Sequence, residues 1–145
     1  MPNNTLSLGH DVTIDIFDIA SGKHIIFPNG TGFHAQPKYK TVTSTPLNGD
    51  PLQADNPDGW HGSLEFDRVD NSIDVWFADR EARYWRNQSL FNVSFIQTIQ
   101  EADGSVSQMR FPNASMKLSD PGSWKSSEKV TIKVDWEAST RERIV

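Results

Sequence analysis

The sequence predicts a mainly β fold: an antiparallel β-sandwich or barrel with one flanking α-helix at about residues 70–87. Three observations lead there. Val130, Ile132, Val134, Trp136 and Ala138 alternate with Lys129, Thr131, Lys133, Asp135 and Glu137, the period of a strand with one buried face. Residues 94–111, SFIQTIQEADGSVSQMRF, read as two alternating runs joined by a turn at Ala102-Asp103-Gly104. Helical spacing recurs in one place, where Ile73, Trp76, Phe77 and Tyr84 lie near one face at 3.6 residues per turn. Those four are the expected packing face of the helix. A chain of 145 residues fits one domain, here 1–145, with an N-terminal arm at about 1–8 and a C-terminal tail at about 140–145.

The remaining elements follow in order. Val12, Ile14 and Ile16 alternate with Asp11, Thr13 and Asp15, a half-buried strand. ASGK at 20–23 turns the chain and HIIF at 24–27 returns it. PNGTGFHAQP at 28–37 is turn-rich, and KYKTVTST at 38–45 reads as a further strand. PLNGDPLQADNPDG at 46–59 holds Pro46, Pro51 and Pro57 and no periodicity. It reads as a long loop, and structureless loops longer than about 12–15 residues are commonly functional or disordered. Leu47 and Leu52 stand isolated in it, two apolar side chains that gain from a surface to rest on. HGSLEFDRV at 61–69 is a strand with Leu64 and Phe66 on one face. Asp70, Asn71 and Ser72 offer N-caps for the helix.

The hairpin at 94–111 has a definite register. A three-residue loop with Gly104 in the left-handed region pairs Phe95 with Phe111, Gln97 with Met109 and Ile99 with Ser107. The opposite face then pairs Ile96 with Arg110, Thr98 with Gln108 and Gln100 with Val106. A two-residue turn shifts the register by one and mixes the faces. Phe91, Val93, Phe95 and Ile99 belong to the apolar side. Beyond Arg110 the apolar parity flips to Ala114, Met116 and Leu118, and Pro112 stands at the flip, where a bulge accounts for both. SDPGSW at 119–124 is a tight turn.

Composition narrows the function. The chain has no cysteine, which removes disulfide, thiolate and zinc–thiolate chemistry. No stretch approaches the ~20 apolar residues that span a bilayer, and MPNNTLSLGH lacks the basic start and apolar run of a secretory signal; a soluble protein is expected. Net charge is −5, from 14 basic and 19 acidic residues, which opposes tight binding of a phosphate backbone. Arg110, Lys117, Lys125, Lys129 and Lys133 cluster locally and read as solvated strand edges or as a patch for an acidic neighbour. The four histidines, His10, His24, His34 and His61, lack metal-ligand spacing. His61 and Glu65 share a strand face, as do Glu65 and Asp67, an ordinary strand surface. No nucleophile elbow, phosphate loop or dinucleotide fingerprint occurs. The expectation is a non-enzyme without cofactor or metal, whose function is its own assembly. Exposed strand edges then pair with neighbours in a symmetric ring.

DGWHGSLEFDRVDNSIDVWFADREARYW (58–85) and QEADGSVSQMRFPNASMKLSDPGSWKSSEKVTIKVDWEAS (100–139) resemble, in order, the bacteriophage tail tube proteins (major tail proteins). The succession is an aromatic-Gly strand, a helix, a hairpin with an acidic Asp-Gly-Ser turn, GSWK and a final strand. The resemblance implies a structural virion protein whose hexameric rings stack into a hollow tail tube through which DNA is ejected. It places Asn92, Ser94, Thr98, Gln100 and Gln108 on the lumen. Arg110 departs from that uncharged set and requires a partner, Glu101 or a neighbour. Leu47, Asp50, Leu52 and Asp55 become contacts between rings and subunits, and segments 1–8 and 140–145 add further ones. Implied partners are the chain itself, the baseplate hub, the tail terminator, the tape measure and a sheath. DNA passes without specific binding, no membrane is involved, and assembly takes place in the bacterial cytoplasm before the protein resides in the virion tail.

Other readings remain at this point: a type VI secretion-like tube, a tail terminator or hub component, and a monomeric carbohydrate-binding sandwich using Trp60 or Trp124.

Overall fold

The computed structural model describes residues 12–19, 21–88, 90 and 92–144; the expected arm at 1–8, His10 and Phe91 lie outside them. The elements are β1 (Val12–Asp18), β2 (His24–Ile25), β3 (Gly30–Ser44), β4 (Leu52–Asp67), α1 (Ser72–Trp85), β5 (Val93–Gln100), β6 (Val106–Asp120), β7 (Thr131–Ala138) and β8 (Glu142–Arg143). All pairings are antiparallel. The strands run in the order β2-β1-β5-β6-β7-β4-β3, with β8 added to β6. The path ends at β2 and β3, which do not pair, so the molecule is an open sandwich and the barrel form is not reached.

β6 belongs to both layers. Its first half pairs with β5 and β8, and its second half, from Ser115, pairs with β7. The change of layer falls where the parity flip lies in the sequence. Val93 pairs with Ala114 and Phe95 with Phe111, so β6 carries one extra residue there. Asn113 absorbs it at a φ of 54°, beside Pro112, whose missing N–H suits a broken ladder. The hairpin keeps the expected register throughout, from Phe95 with Phe111 to Gln100 with Val106. Gly104 has a φ of 92°, and the Glu101 N–H donates to the Ser105 carbonyl at 2.9 Å to close the three-residue loop.

The core is the space between the layers. Ile16, Phe95 and Phe111 meet from the first sheet, and Leu64, Phe66, Ile132, Val134, Trp136 and Ala138 from the second. Aromatic rings dominate it. Trp136 stacks on Phe33 at 5.6 Å and meets Phe111 edge-on at 4.9 Å and Phe95 at 5.4 Å, distances at which such pairs attract beyond their buried area. Ile73 is buried, and Trp76 and Phe77 pack partly buried beside it, both against Phe27. Tyr84 does not join them. It is 59% exposed and packs edge-on against Trp85 at 5.1 Å. It lies on the last helical turn, past the end of the core that Ile73 reaches. Asn71 is the N-cap residue without a side-chain bond; instead the Asp70 carboxylate accepts the Ser72 N–H at 2.9 Å, and hydrogen bonds from the Ser72 side chain and then its N–H hold its pKa below the usual aspartate value.

Two expectations about loops are overturned. Residues 28–37 are not a turn region, because β3 already begins at Gly30. Residues 46–59 are not a long loop: β4 begins at Leu52, and Tyr39 with Pro57 through Ser44 with Leu52 form a continuous ladder. The connection shrinks to residues 45–51, closed by the Gly49 N–H donating to the Pro46 carbonyl at 2.9 Å. Neither face of this ribbon is buried, so no apolar alternation marks it in the sequence. Pro57 is tolerated because its partner Tyr39 adjoins a register irregularity.

Candidate functional site

Register alone builds a polar outer face on the first sheet. Asp15, Ile96, Arg110 and Glu142 form one row across β1, β5, β6 and β8. Thr13, Thr98 and Gln108 form the next, and Phe17 and Ser94 stand on the other side. The alternate positions, Ile14, Ile16, Phe95 and Phe111, face the core. The same backbone therefore offers a dry face inward and a hydroxyl- and amide-rich face outward. The Gln108 amide donates to Thr98 Oγ1 at 3.3 Å, which ties β5 to β6 on that side. Asn92 precedes β5, and its amide donates to Asn113 Oδ1 at 3.2 Å across the bulge. Gln100 ends β5, exposed, opposite Val106.

Every charge in these rows has a local partner. His24 Nε2 lies 3.3 Å from Asp15 Oδ1, and its ring stacks on Phe17 at 5.0 Å. Arg110 Nη2 lies 2.6 Å from Glu142 Oε2. Glu142, not Glu101, is the partner that Arg110 requires. Residues 140–144 of the expected C-terminal tail turn back on the first sheet. β8 pairs with Met109 and Arg110, the Ile144 N–H donates to the Gln108 carbonyl at 2.9 Å, and the Arg141 guanidinium sits 4.1 Å from the Trp60 ring centre.

The second feature is the ribbon made by the outer ends of β3 and β4. From Lys40 to Asp58 each residue is exposed apart from Pro46. Leu47 is fully exposed at the tip. The Asp50 N–H donates to Asn48 Oδ1 at 3.2 Å in the turn. Leu52 opens β4 opposite Ser44, and Asp55 Oδ1 accepts the Thr41 hydroxyl at 2.8 Å across the ladder. Tyr39, Val42, Leu47 and Leu52 add exposed apolar surface to it. An isolated two-stranded ribbon is at best marginal in water, so this one gains from a partner along its length.

Three of the five residues of the basic cluster in the sequence have acidic partners. Lys129 meets Asp67 at 3.5 Å and Lys133 meets Glu65 at 3.9 Å, besides Arg110 with Glu142. The Glu65 and Asp67 carboxylates are thereby directed at lysines. No group of three metal-ligating side chains converges among the described residues, nor is any described helix long and apolar enough to cross a membrane.

No protein-family model and no curated relative matches the sequence. Solved structures do match over nearly the whole chain. One is the anti-feeding prophage tube-terminating cap, with a TM-score of 0.63 at 10% identity, covering 100% of this chain and 95% of that one. Another comes from the sheath-tube complex of the PVC extracellular contractile injection system in its extended state. There the TM-score is 0.62 at 11% identity, with 96% and 93% covered. The third is the SPP1 tail tube, with a TM-score of 0.60 at 13% identity, covering 95% of this chain and 78% of that one. The chain has the tail-tube fold. Of the rows that form the polar face of this tail-tube fold, sequence reasoning found Ser94, Thr98 and Gln108 and missed Asp15, His24 and Glu142. Asp15 and Glu142 come from strands whose pairing with β5 and β6 is non-local, and no short-range pattern carries it; His24 faces Asp15 across the local β1–β2 hairpin.

Proposed function

We propose that this chain is a structural subunit of a phage-type tail tube. Hexameric rings stack into a hollow conduit, and DNA crosses it during ejection. The observation that carries this reading is the outer face of the first sheet, rich in hydroxyls and amides, with Arg110 paired to Glu142. A passing polyanion requires a wall that stays wet and offers no unpaired cations. Asn92, Ser94, Thr98, Gln100 and Gln108 are the lumen residues in this reading. The unpaired edges at β2 and β3 are where neighbouring subunits continue the sheet, which removes an edge liability by symmetry. The projecting ribbon, with Leu47, Asp50, Leu52 and Asp55, reaches the next ring. Stable contact between subunits calls for about 1,000 Å² or more, which an exposed ribbon of this length helps to supply. The partners are further copies of the chain, then baseplate hub, terminator, tape measure and sheath. The location is the virion tail, after assembly in the bacterial cytoplasm, and no enzymatic step is involved.

A tail terminator is the second reading, favoured by the match to a tube-terminating cap. Negative-stain microscopy over a concentration series, with mass from light scattering, separates the two. The tube subunit gives hollow rings that extend into tubes as concentration rises or once baseplate complex is added. A terminator stops at single rings. A particle that stays monomeric under every condition, baseplate included, rejects both.

A further inference from the structure

We infer that β8 serves as a charge mask on the conduit face. Glu142 neutralises Arg110, so that the wall does not hold DNA. This rests on the tube reading and assigns a role to a segment that reading leaves unexplained. Arg110 is an unfavourable residue for a surface that DNA must slide past. It points outward from the same row as Ile96 and Asp15, its side chain is 47% exposed, and Glu142 is its ion-pair partner at 2.6 Å.

The pair has little value as a stabilising contact, because exposed ion pairs contribute little to folding. Its effect on local charge is larger. With Glu142 in place the row offers no net cation, because Arg110 is its one basic residue. Without Glu142 each subunit presents one bare guanidinium. Each phosphate neutralised by a cation adds about 0.9 to the slope of log affinity against log salt. Repeated round every ring of a stack, that term accumulates into retention. The backbone delivers the mask: Arg110 pairs with Glu142 and Met109 with Arg143 in ladder register, and the Ile144 N–H anchors the end on Gln108. A carboxylate on a free tail would have no such fixed position.

The test compares wild type, Glu142→Gln, Arg110→Gln and the double variant. Each binds a labelled short DNA duplex at about 50 and 200 mM salt, with the assembly state of each followed by microscopy. The expected result is that Glu142→Gln binds DNA roughly tenfold or more tighter than wild type at the lower salt, with the gap shrinking at the higher. Arg110→Gln and the double variant should show no gain. Thermal melting identifies any variant that loses β8 or the fold, and Glu142→Ala then serves as the replacement, with the same gain expected. The duplex is presented to the protein in whatever state it adopts. If wild type forms no rings even with baseplate complex added, the tube reading falls. If the charge variants bind DNA no better than wild type, or the gain survives removal of Arg110, the mask is overturned whatever the assembly state.

Discussion

At the scale of single residues the fold depends on how closely two strands approach one aromatic ring. Gly62 lies on β4 opposite Ala35 and Trp136. A Cβ there would run into the His34 carbonyl and lie 3.0 Å from Trp136 Cζ2. Glycine lets β3 and β4 close over the indole, and Phe33 can then stack on it. Gly62→Ala forces the strands apart or displaces Trp136. A loss of about 1–3 kcal/mol is expected, read as a lowered urea midpoint at unchanged slope, and an unaltered midpoint would refute the packing account. Trp136 has a cost of its own, because its Nε1 is buried without a hydrogen-bond partner among the described residues. The ring is held there by aromatic packing and not by its polar handle.

The turn at the tip of the hairpin sets register at the scale of an element. The Asp103 carboxylate accepts the Ser105 N–H at 2.9 Å and the Ser105 hydroxyl at 2.6 Å. Both bonds favour the ionised form and hold its pKa below the usual aspartate value. A lowered folded pKa means that this contribution is complete above the ordinary aspartate value and is lost as pH falls through the lowered one. NMR titration should find Asp103 with a midpoint below that of unrestrained aspartates, and Ser105→Ala should move it upward. An Asp103 that titrates normally in the intact chain would contradict the turn geometry.

The ribbon is the second element with a prediction. Lys40 and Asn56 are ladder partners, so residues 41–55 can be replaced by Asn-Gly, a two-residue hairpin turn. The removed residues do not enter the core, so the unfolding midpoint should hardly move while rings lose the ability to stack. Tubes of normal length from the shortened chain would show that the ribbon is not the inter-ring contact. These two elements also show what is legible in a sequence. The 94–111 register could be read because each face has its own chemistry and a one-residue slip mixes them. The ribbon could not, because a strand with both faces in solvent leaves no pattern. Tyr84 misleads for a related reason: helical phase places it on the packing stripe, but phase does not say where along the axis the core ends. The Arg110–Glu142 pair was hidden because its residues lie 32 positions apart in the chain.

At the scale of the whole molecule, the open order β2-β1-β5-β6-β7-β4-β3 leaves both ends of the path without a partner strand among the described residues. A monomeric sandwich carries such edges as a hazard, while a ring uses them. The order has another consequence, for timing. β7 lies between β4 and β6 and follows both in the chain. During synthesis the β3–β4 and β5–β6 hairpins can form locally, but the second layer has a gap at its centre until residues 131–138 arrive. Trp136, around which Phe33, Phe95 and Phe111 gather, arrives with them. In the proposed tube, a nascent chain that still lacks its middle strand would be unable to seed a filament before its synthesis is complete.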